Sequence, residues 1–108
     1  MIFDIDIITI EVIDYIGINC SKGDKLYRRL TYMVKDCKNY IEQIAGETEA
    51  LMNSDLLMNE AIRLIKEFVR YTYSGCPEQF KSDFAADLQA FHYNCLVQNR
   101  KKESEYEE

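Results

Sequence analysis

The spacing of apolar residues in positions 24–45 constrains the fold of this chain more than any other feature. Since an α-helix has about 3.6 residues per turn, apolar side chains at intervals of three, four and seven residues share one face of a helix of about six turns. Gly46 follows where a glycine commonly ends a helix. A helix with one apolar face buries it against other elements, so this segment predicts a helical domain. The apolar residues are Leu26, Leu30, Met33, Val34, Cys37, Ile41 and Ile44.

The second half of the chain predicts two further amphipathic helices, over about residues 57–73 and 78–98. Residues 74–77 separate them, because Gly75 suits the end of a helix and Pro77 suits the first turn of the next one. In the first of these helices the apolar face comprises Met58, Ala61, Ile62, Ile65, Phe68, Val69 and Thr72. In the second it comprises Phe80, Phe84, Leu88, Phe91 and Cys95.

The two ends of the chain have different patterns. Residues 2–8 alternate apolar and acidic side chains, which is typical of a short extended arm or edge strand. Thr9 is a plausible N-cap for a short helix that ends at Gly17. Residues 99–108 are mostly charged and lack an apolar pattern, so we expect a frayed or disordered tail there. The fold expected is all-α: a small bundle of about four helices over residues 1–98, with a short N-terminal arm, and a flexible charged tail over residues 99–108.

Composition excludes several classes of protein. The chain has 108 residues, with 13 basic and 19 acidic side chains and a net charge of −6, which is consistent with one small globular domain. An acidic protein of this kind is a poor autonomous binder of nucleic acid, because that affinity comes from basic groups on phosphates. No segment approaches the roughly 18 uncharged apolar residues of a membrane-spanning helix, and the N-terminus lacks the basic region of a signal peptide. The four cysteines form no CxxC pair, so we expect free thiols in a reducing cytoplasm.

The sequence offers little evidence for a catalytic or metal site. His92 is the only histidine, and no second cluster supplies the closely spaced ligands that a zinc site needs. A Cys37 or Cys95 nucleophile assisted by His92 has weak support, because both cysteines fall on apolar faces, where a thiol packs as a small hydrophobic group. The glycines never cluster into a phosphate-binding loop. We therefore predict a protein that is not an enzyme and has no catalytic residue, cofactor or metal.

Surplus aromatic residues and uneven charge suggest an interaction surface instead. Tyr71 and Tyr73 flank a core position at the end of a helix, beside Arg70, and exposed tyrosine with arginine is enriched at protein interfaces. The alternative is that both tyrosines simply lie against the start of the next helix. Residues 1–20 carry a charge of −4 and residues 21–45 a charge of +3, so the acidic arm of one subunit could meet the basic helix of a neighbour, or both could be solvated faces of a monomer. The candidate interface residues are Arg70, Tyr71, Tyr73, Arg28, Arg29, Asp4 and Asp6.

The order of these pieces resembles the phage head-tail connector, or adaptor, family. The match covers about residues 9–96 and is most specific in an Arg-Tyr-x-Tyr stretch that is followed, after a break, by Glu-x-Phe and an aromatic helix. Residues 74–77 depart from the Asn-rich break that is more usual in the family, and Val12-Ile13 stands where a charged residue is often seen. The matching residues are Asp14-Tyr15-Ile16-Gly17-Ile18, Asp24, Leu26, Leu30, Tyr40-Ile41, Arg70-Tyr71-Thr72-Tyr73, Glu78-Gln79-Phe80, Asp83-Phe84 and Leu88.

The resemblance implies a structural role without catalysis. Proteins of this family assemble as a homo-oligomeric ring beneath the portal protein, extend the DNA channel, and offer a docking surface to the next connector or tail protein. DNA would pass through without specific binding, and the protein would be found at the head-tail junction of the virion, or in the bacterial cytoplasm during assembly or expression from a prophage. The alternatives are a small helical partner-binding or regulatory module of a phage or bacterium, and a thiol-dependent enzyme.

Overall fold

The computed structural model describes the backbone of residues 3–107 and the side chains of residues 3–101. Within that backbone every regular element is a helix and no strand is present, so the all-α prediction is confirmed. The described residues form six helices instead of the four that were expected, because one predicted helix is divided in two and a predicted connection contains a short helical turn. The helices are α1 (Ile5–Ile16), α2 (Lys25–Ala45), α3 (Glu49–Met52), α4 (Asp55–Tyr73), α5 (Pro77–Asp83) and α6 (Ala85–Glu107).

The centre of the fold is the pair formed by α2 and α4, which agree closely with their predicted bounds. Helix α1 packs against both of them, and α6 packs against α2, α3, α4 and α5. The apolar faces of the central pair meet in one continuous core, which explains why the helical periodicity was strongest in these segments. Fully buried core residues of the pair are Leu30, Val34 and Ile41 of α2, and Ala61, Leu64, Ile65 and Val69 of α4.

The prediction of an extended arm or edge strand at residues 2–8 is wrong from residue 5 onward, where α1 begins. Asp4 is the N-cap of this helix, and its carboxylate accepts a hydrogen bond of 3.1 Å from the backbone N–H of Ile7. Thr9, the predicted N-cap, lies inside the helix, is buried, and donates its hydroxyl to the carbonyl of Ile5 at 2.7 Å. Residues 1 and 2 lie outside the described residues.

Burial explains why α1 is a helix despite its isoleucines. Ile8 and Val12 are four residues apart, and both are buried against the central pair. A strand would present alternate residues to the core and would need a partner strand, which the described chain does not provide. Tertiary packing of one helical face therefore outweighs the β propensity of the isolated segment.

The predicted helix over residues 78–98 is interrupted at Phe84, which separates α5 from α6. Phe84 has φ −104° and ψ 15°, yet the backbone hydrogen bonds Phe84 N–H to Phe80 O and Leu88 N–H to Phe84 O continue across it. Its ring stacks on Phe80 at 4.8 Å and lies edge-on to Tyr71 at 5.8 Å between centroids. No glycine or proline lies at this break, so the sequence contains no local signal for it. The break coincides with the packing of the Phe84 ring against Phe80 and Tyr71.

Residues 99–107 differ from the disordered tail predicted for residues 99–108, because α6 extends as a helix to Glu107. Adding a residue to an existing helix is far less costly than starting one, and lysine, arginine and glutamate are good helix formers. The absence of an apolar pattern in this segment therefore did not mean the absence of a helix. Residue 108 lies outside the described backbone.

Candidate functional site

The junction between α4 and α5 holds three of the predicted interface residues: Arg70, Tyr71 and Tyr73. Helix α4 ends at Tyr73, and Gly75 then turns the chain with φ +83°, a conformation that favours glycine. The N–H of Cys76 donates to the carbonyl of Tyr71 at 3.0 Å, which closes the turn. This geometry folds α5 back onto the last turns of α4.

Tyr71 is half-buried against α5, and both its ring and its hydroxyl have partners within the chain. Its ring lies edge-on to Phe80 and to Phe84, each at 5.8 Å, and its hydroxyl donates to the carboxylate of Asp83 at 2.8 Å. Gln79 donates a second hydrogen bond to Asp83 at 2.7 Å. The hydrogen bond to Asp83 raises the pKa of Tyr71, and the bonds from Gln79 and Tyr71 lower the pKa of Asp83. Tyr71 therefore matches the alternative interpretation, in which the tyrosine lies against the next helix.

Tyr73 and Arg70 are exposed beside this cluster. The Tyr73 side chain is 38% exposed, and the Arg70 guanidinium lies 5.1 Å from the centroid of the Tyr71 ring. Arg70 also forms an ion pair of 2.9 Å with Glu67. Of the two tyrosines, Tyr73 is the more exposed.

A buried carboxylate behind Arg70 was not found from the sequence. Glu67 is only 9% exposed and accepts a hydrogen bond from the Tyr15 hydroxyl of α1. It also accepts two from the Arg70 guanidinium, at 3.2 Å from Nε and 2.9 Å from Nη2. The hydrogen bond to Glu67 is the main reason why the pKa of Tyr15 is raised. The spacing of Glu67 and Arg70 on α4 permits their ion pair, but the contact with Tyr15 joins positions 52 residues apart and has no sequence signal.

The predicted acidic and basic interface residues lie on separate elements, and the acidic ones have roles within the chain. Asp4 caps α1, and Asp6 accepts a hydrogen bond of 3.1 Å from the hydroxyl of Tyr27, which ties α1 to α2. Arg28 and Arg29 are exposed on α2, and neither forms an ion pair within the described part of the chain. Within the described residues of one subunit, the four side chains therefore form no ion pair with one another.

The residues considered for chemistry are dispersed or buried. Nδ1 of His92 lies 2.6 Å from the carbonyl oxygen of Ile44, which joins α6 to α2. Burial raises the pKa of the Cys37 thiol to about 12 and that of Cys95 to about 11, which disfavours the thiolate needed for a nucleophile. Cys76 is exposed and Cys20 is half-buried. Among the described residues, no three histidine, cysteine or acidic side chains are placed to hold a metal ion.

Comparison of the chain with protein-family models, with curated proteins and with solved structures finds no match. No helix in the described part of the chain is both long and apolar enough to cross a membrane.

Proposed function

We propose that this protein is a structural subunit of a phage head-tail connector, which assembles as a homo-oligomeric ring between the portal and the next connector or tail protein. The observation that carries the proposal is the α4–α5 junction. The Arg-Tyr-x-Tyr stretch that ends α4 and the Glu-x-Phe stretch in α5 are the most specific part of the resemblance. Tyr71 and Phe80 from these two stretches pack with Phe84 in one cluster that leaves Tyr73 and Arg70 at the surface.

The junction suits a docking surface because its base is rigid. Phe68 stacks on Phe80 at 4.4 Å with an interplanar angle of 8°, so the cluster is anchored in the core of α4. Tyr73 has only two side-chain torsions to fix, and Arg70 is already held by its ion pair with Glu67, so the loss of conformational entropy on binding is small for both. A ring subunit needs such surfaces, whereas it needs no catalytic group.

The negative net charge of the chain is compatible with a channel through which DNA passes without being bound tightly. The net charge of −6 gives duplex DNA little attraction overall, so DNA can pass through a ring of such subunits without specific binding. In this proposal the protein resides at the head-tail junction of the virion, and in the bacterial cytoplasm during assembly or expression from a prophage.

The direct test is molar mass by light scattering over a wide concentration range in reducing buffer, with negative-stain electron microscopy of any large species. We expect a closed ring with a central hole. Tyr73→Ala should weaken the ring or its docking without loss of helicity, and Tyr93→Ala, which removes an exposed tyrosine of α6, is the matched control. A monomer at every concentration, even with a portal ring present, contradicts the proposal.

A second candidate function is a small partner-binding module. Leu56 is 83% exposed, and with Leu57, Ala90 and Phe91 it lines a groove of about 360 Å³ between α4 and α6. Exposed apolar groups beside a groove are typical of protein-binding surfaces. A stable monomer or dimer that binds one partner, and loses it on Leu56→Ser, supports this function over the ring.

A further inference from the structure

We infer that the outer faces of α1 and α2 bind each other between two copies of this chain, in a head-to-tail contact. The inference rests on the proposed function, for which it names the surfaces that join neighbouring subunits. It replaces the extended acidic arm expected from the sequence with a contact between two helices. Four observations carry it: a basic face, an acidic and apolar face, unpaired cations, and matched spacing.

The outer face of α2 is basic and has an aromatic centre. At about 100° per residue, Lys25, Arg28, Arg29, Tyr32 and Lys35 lie within an arc of about 120°, with Tyr32 near its middle. All five side chains are exposed, and Tyr32 is 59% exposed. The ammonium of Lys35 lies 5.6 Å from the centroid of the Tyr32 ring. We refer to these five residues as the basic face.

The cations of the basic face have no carboxylate partner, in contrast to those of α4. Within the described part of the chain, none of the four forms an ion pair. Exposed cations without partners, clustered around a tyrosine, form a surface that an anionic partner fits. The cations that do form ion pairs are Lys38 with Glu42, Arg63 with Glu60 and Asp87, Lys66 with Glu11, Arg70 with Glu67, and Lys81 with Glu78.

The outer face of α1 has the complementary character. Asp6, Ile7, Ile10, Glu11 and Asp14 lie within an arc of about 140° on α1. Ile7, Ile10 and Asp14 lie in the middle of the arc, away from the buried residues, whereas Asp6 and Glu11 lie at its edges, where they also bond Tyr27 of α2 at 3.1 Å and Lys66 of α4 at 2.7 Å. Ile7 and Ile10 are 54% and 55% exposed, and α1 contains no basic residue. We refer to these five residues as the acidic face. Exposure of its two isoleucines to water is unfavourable, so this face is suited to contact with a partner.

The two faces match in spacing as well as in charge. Asp6 and Asp14 flank Ile10 and are separated by about 12 Å along α1, and Arg28 and Lys35 flank Tyr32 and are separated by about 10 Å along α2. Packing the two helices would bury Tyr32 against the isoleucines, with carboxylates and cations facing each other at both ends. This is an apolar centre with a charged rim, the usual arrangement of a protein interface.

A second copy of the chain fits the basic face better than nucleic acid does. The chain has 19 acidic residues against 13 basic ones, so the rest of its surface repels phosphates. Binding to phosphates would also leave Ile7 and Ile10 exposed. Because the contact joins two different surfaces, it propagates from subunit to subunit and closes into a ring if the rotation between subunits permits.

The contact should be weak for one pair of subunits and sensitive to salt. Two short helix faces bury less than the roughly 1,200–2,000 Å² of a typical stable interface, so closure of an assembly has to reinforce each contact. Charges at the rim are screened at high ionic strength. We therefore expect concentration-dependent association that weakens as salt is raised.

The test is a charge swap measured by sedimentation and light scattering. One variant carries Ile10→Lys with Asp14→Lys, the other carries Arg28→Glu with Lys35→Glu, and none of these four side chains forms a hydrogen bond or ion pair within the described residues. Each variant alone should associate at least about tenfold more weakly than the wild type. The first places one cation in the apolar centre and another at the rim of the acidic face, and the second reverses two rim charges of the basic face. Mixing the two should restore association, because the intact basic face of the first variant meets the intact acidic face of the second, and the lysines introduced into one altered face attract the glutamates introduced into the other. Circular dichroism checks that each variant is folded.

Arg100→Glu with Lys101→Glu is the matched control, since it reverses two exposed cations at the far end of α6. The inference is overturned if either charge-swap variant associates like the wild type, if mixing fails to restore association, or if the wild type is monomeric at all concentrations. It is also overturned if Arg28→Glu with Lys35→Glu abolishes binding of duplex DNA and leaves self-association unchanged.

The experiment separates this contact from the connector function. If the protein forms a closed ring that the charge swap does not affect, the connector proposal is supported and the α1–α2 contact is contradicted. Open filaments or small oligomers that obey the charge swap support the contact and contradict the connector.

Discussion

At the residue scale, Glu67 is a charged side chain that is buried within the described chain. A carboxylate that is nine-tenths buried needs hydrogen-bond donors, and Tyr15 and Arg70 supply them. We predict that Tyr15→Phe lowers the free energy of unfolding by about 1 kcal/mol, because it removes one donor and leaves Arg70 in place. Urea denaturation measures the change. Tyr32→Phe, which alters an exposed tyrosine without a hydrogen bond in the described chain, should have almost no effect, and equal effects of the two variants would contradict the prediction.

The buried thiols predict how stability depends on pH. Burial raises the pKa of Cys37 to about 12 and of Cys95 to about 11, whereas thiols of the unfolded chain lose their protons near pH 8.5–9. The native state therefore holds more protons than the unfolded state at alkaline pH, and the free energy of unfolding falls as pH rises. The full contribution is present below about pH 8.5 and is lost between about pH 9 and 12, with a slope of up to about 1.4 kcal/mol per pH unit for each thiol.

Urea denaturation in reducing buffer at pH 7, 9 and 10 tests this dependence. Cys37→Ala should lower stability at pH 7, because it leaves a cavity, but should show a shallower decline with pH. A free energy of unfolding that is the same at pH 7 and pH 10 would contradict the assignment of Cys37 and Cys95 as buried protonated thiols.

At the scale of the element, Asp4, which was predicted as an interface charge, is the N-cap of α1. Asp4→Ala should lower the free energy of unfolding by about 1 kcal/mol, because the N–H of Ile7 loses its acceptor. Asp4→Asn keeps an acceptor oxygen and should retain most of that stability. If Asp4→Asn weakens self-association without affecting thermal unfolding, Asp4 contributes to the interface through its charge as well.

Helix bounds were predictable where one face is buried along its whole length. For α2 and α4 the apolar stripe and the terminal glycine or serine signals are both present in the sequence, and the structure follows them. The division of α5 from α6 was not predictable, because Phe84 adjusts to the rings of Phe80 and Tyr71. Periodicity reports which residues share a face, and it does not report a bend that arises from the packing of that face.

At the scale of the whole molecule, the buried side chains described in α6 end at Cys95, whereas its backbone continues as a helix to Glu107. Phe91 and Cys95 are the last buried residues among the side chains described, which extend to residue 101. We predict that a chain ending at residue 98 unfolds cooperatively, with a free energy of unfolding within about 1 kcal/mol of that of the full chain. A chain ending at residue 90 loses Phe91 and should be destabilised by at least about 3 kcal/mol. Strong destabilisation of the chain that ends at residue 98 would mean that residues 99–108 belong to the folded core.

The candidate site was only partly accessible from the sequence. The spacing identified Arg70, Tyr71 and Tyr73 as a group, because they occupy one turn at a helix end. It left open which tyrosine faces outward, and the position of α5 against α4 resolved this in favour of Tyr73. Of the isoleucines of the acidic face, Ile7 was predicted in an extended arm and Ile10 in a short helix, so their shared exposure on α1 became visible only in the folded chain.

The helical class, the positions of α2 and α4, and the dispersal of histidine, cysteine and glycine follow from the order of residues alone. These are local properties, since a period of 3.6 residues and a helix-ending glycine act over a few turns. The start of α1, the bend at Phe84, and the contact between Tyr15 and Glu67 required the folded chain. Each of them depends on contacts between segments that are distant along the sequence or on the packing of neighbouring helices, and burial in those contacts outweighs the local preference of the residues involved.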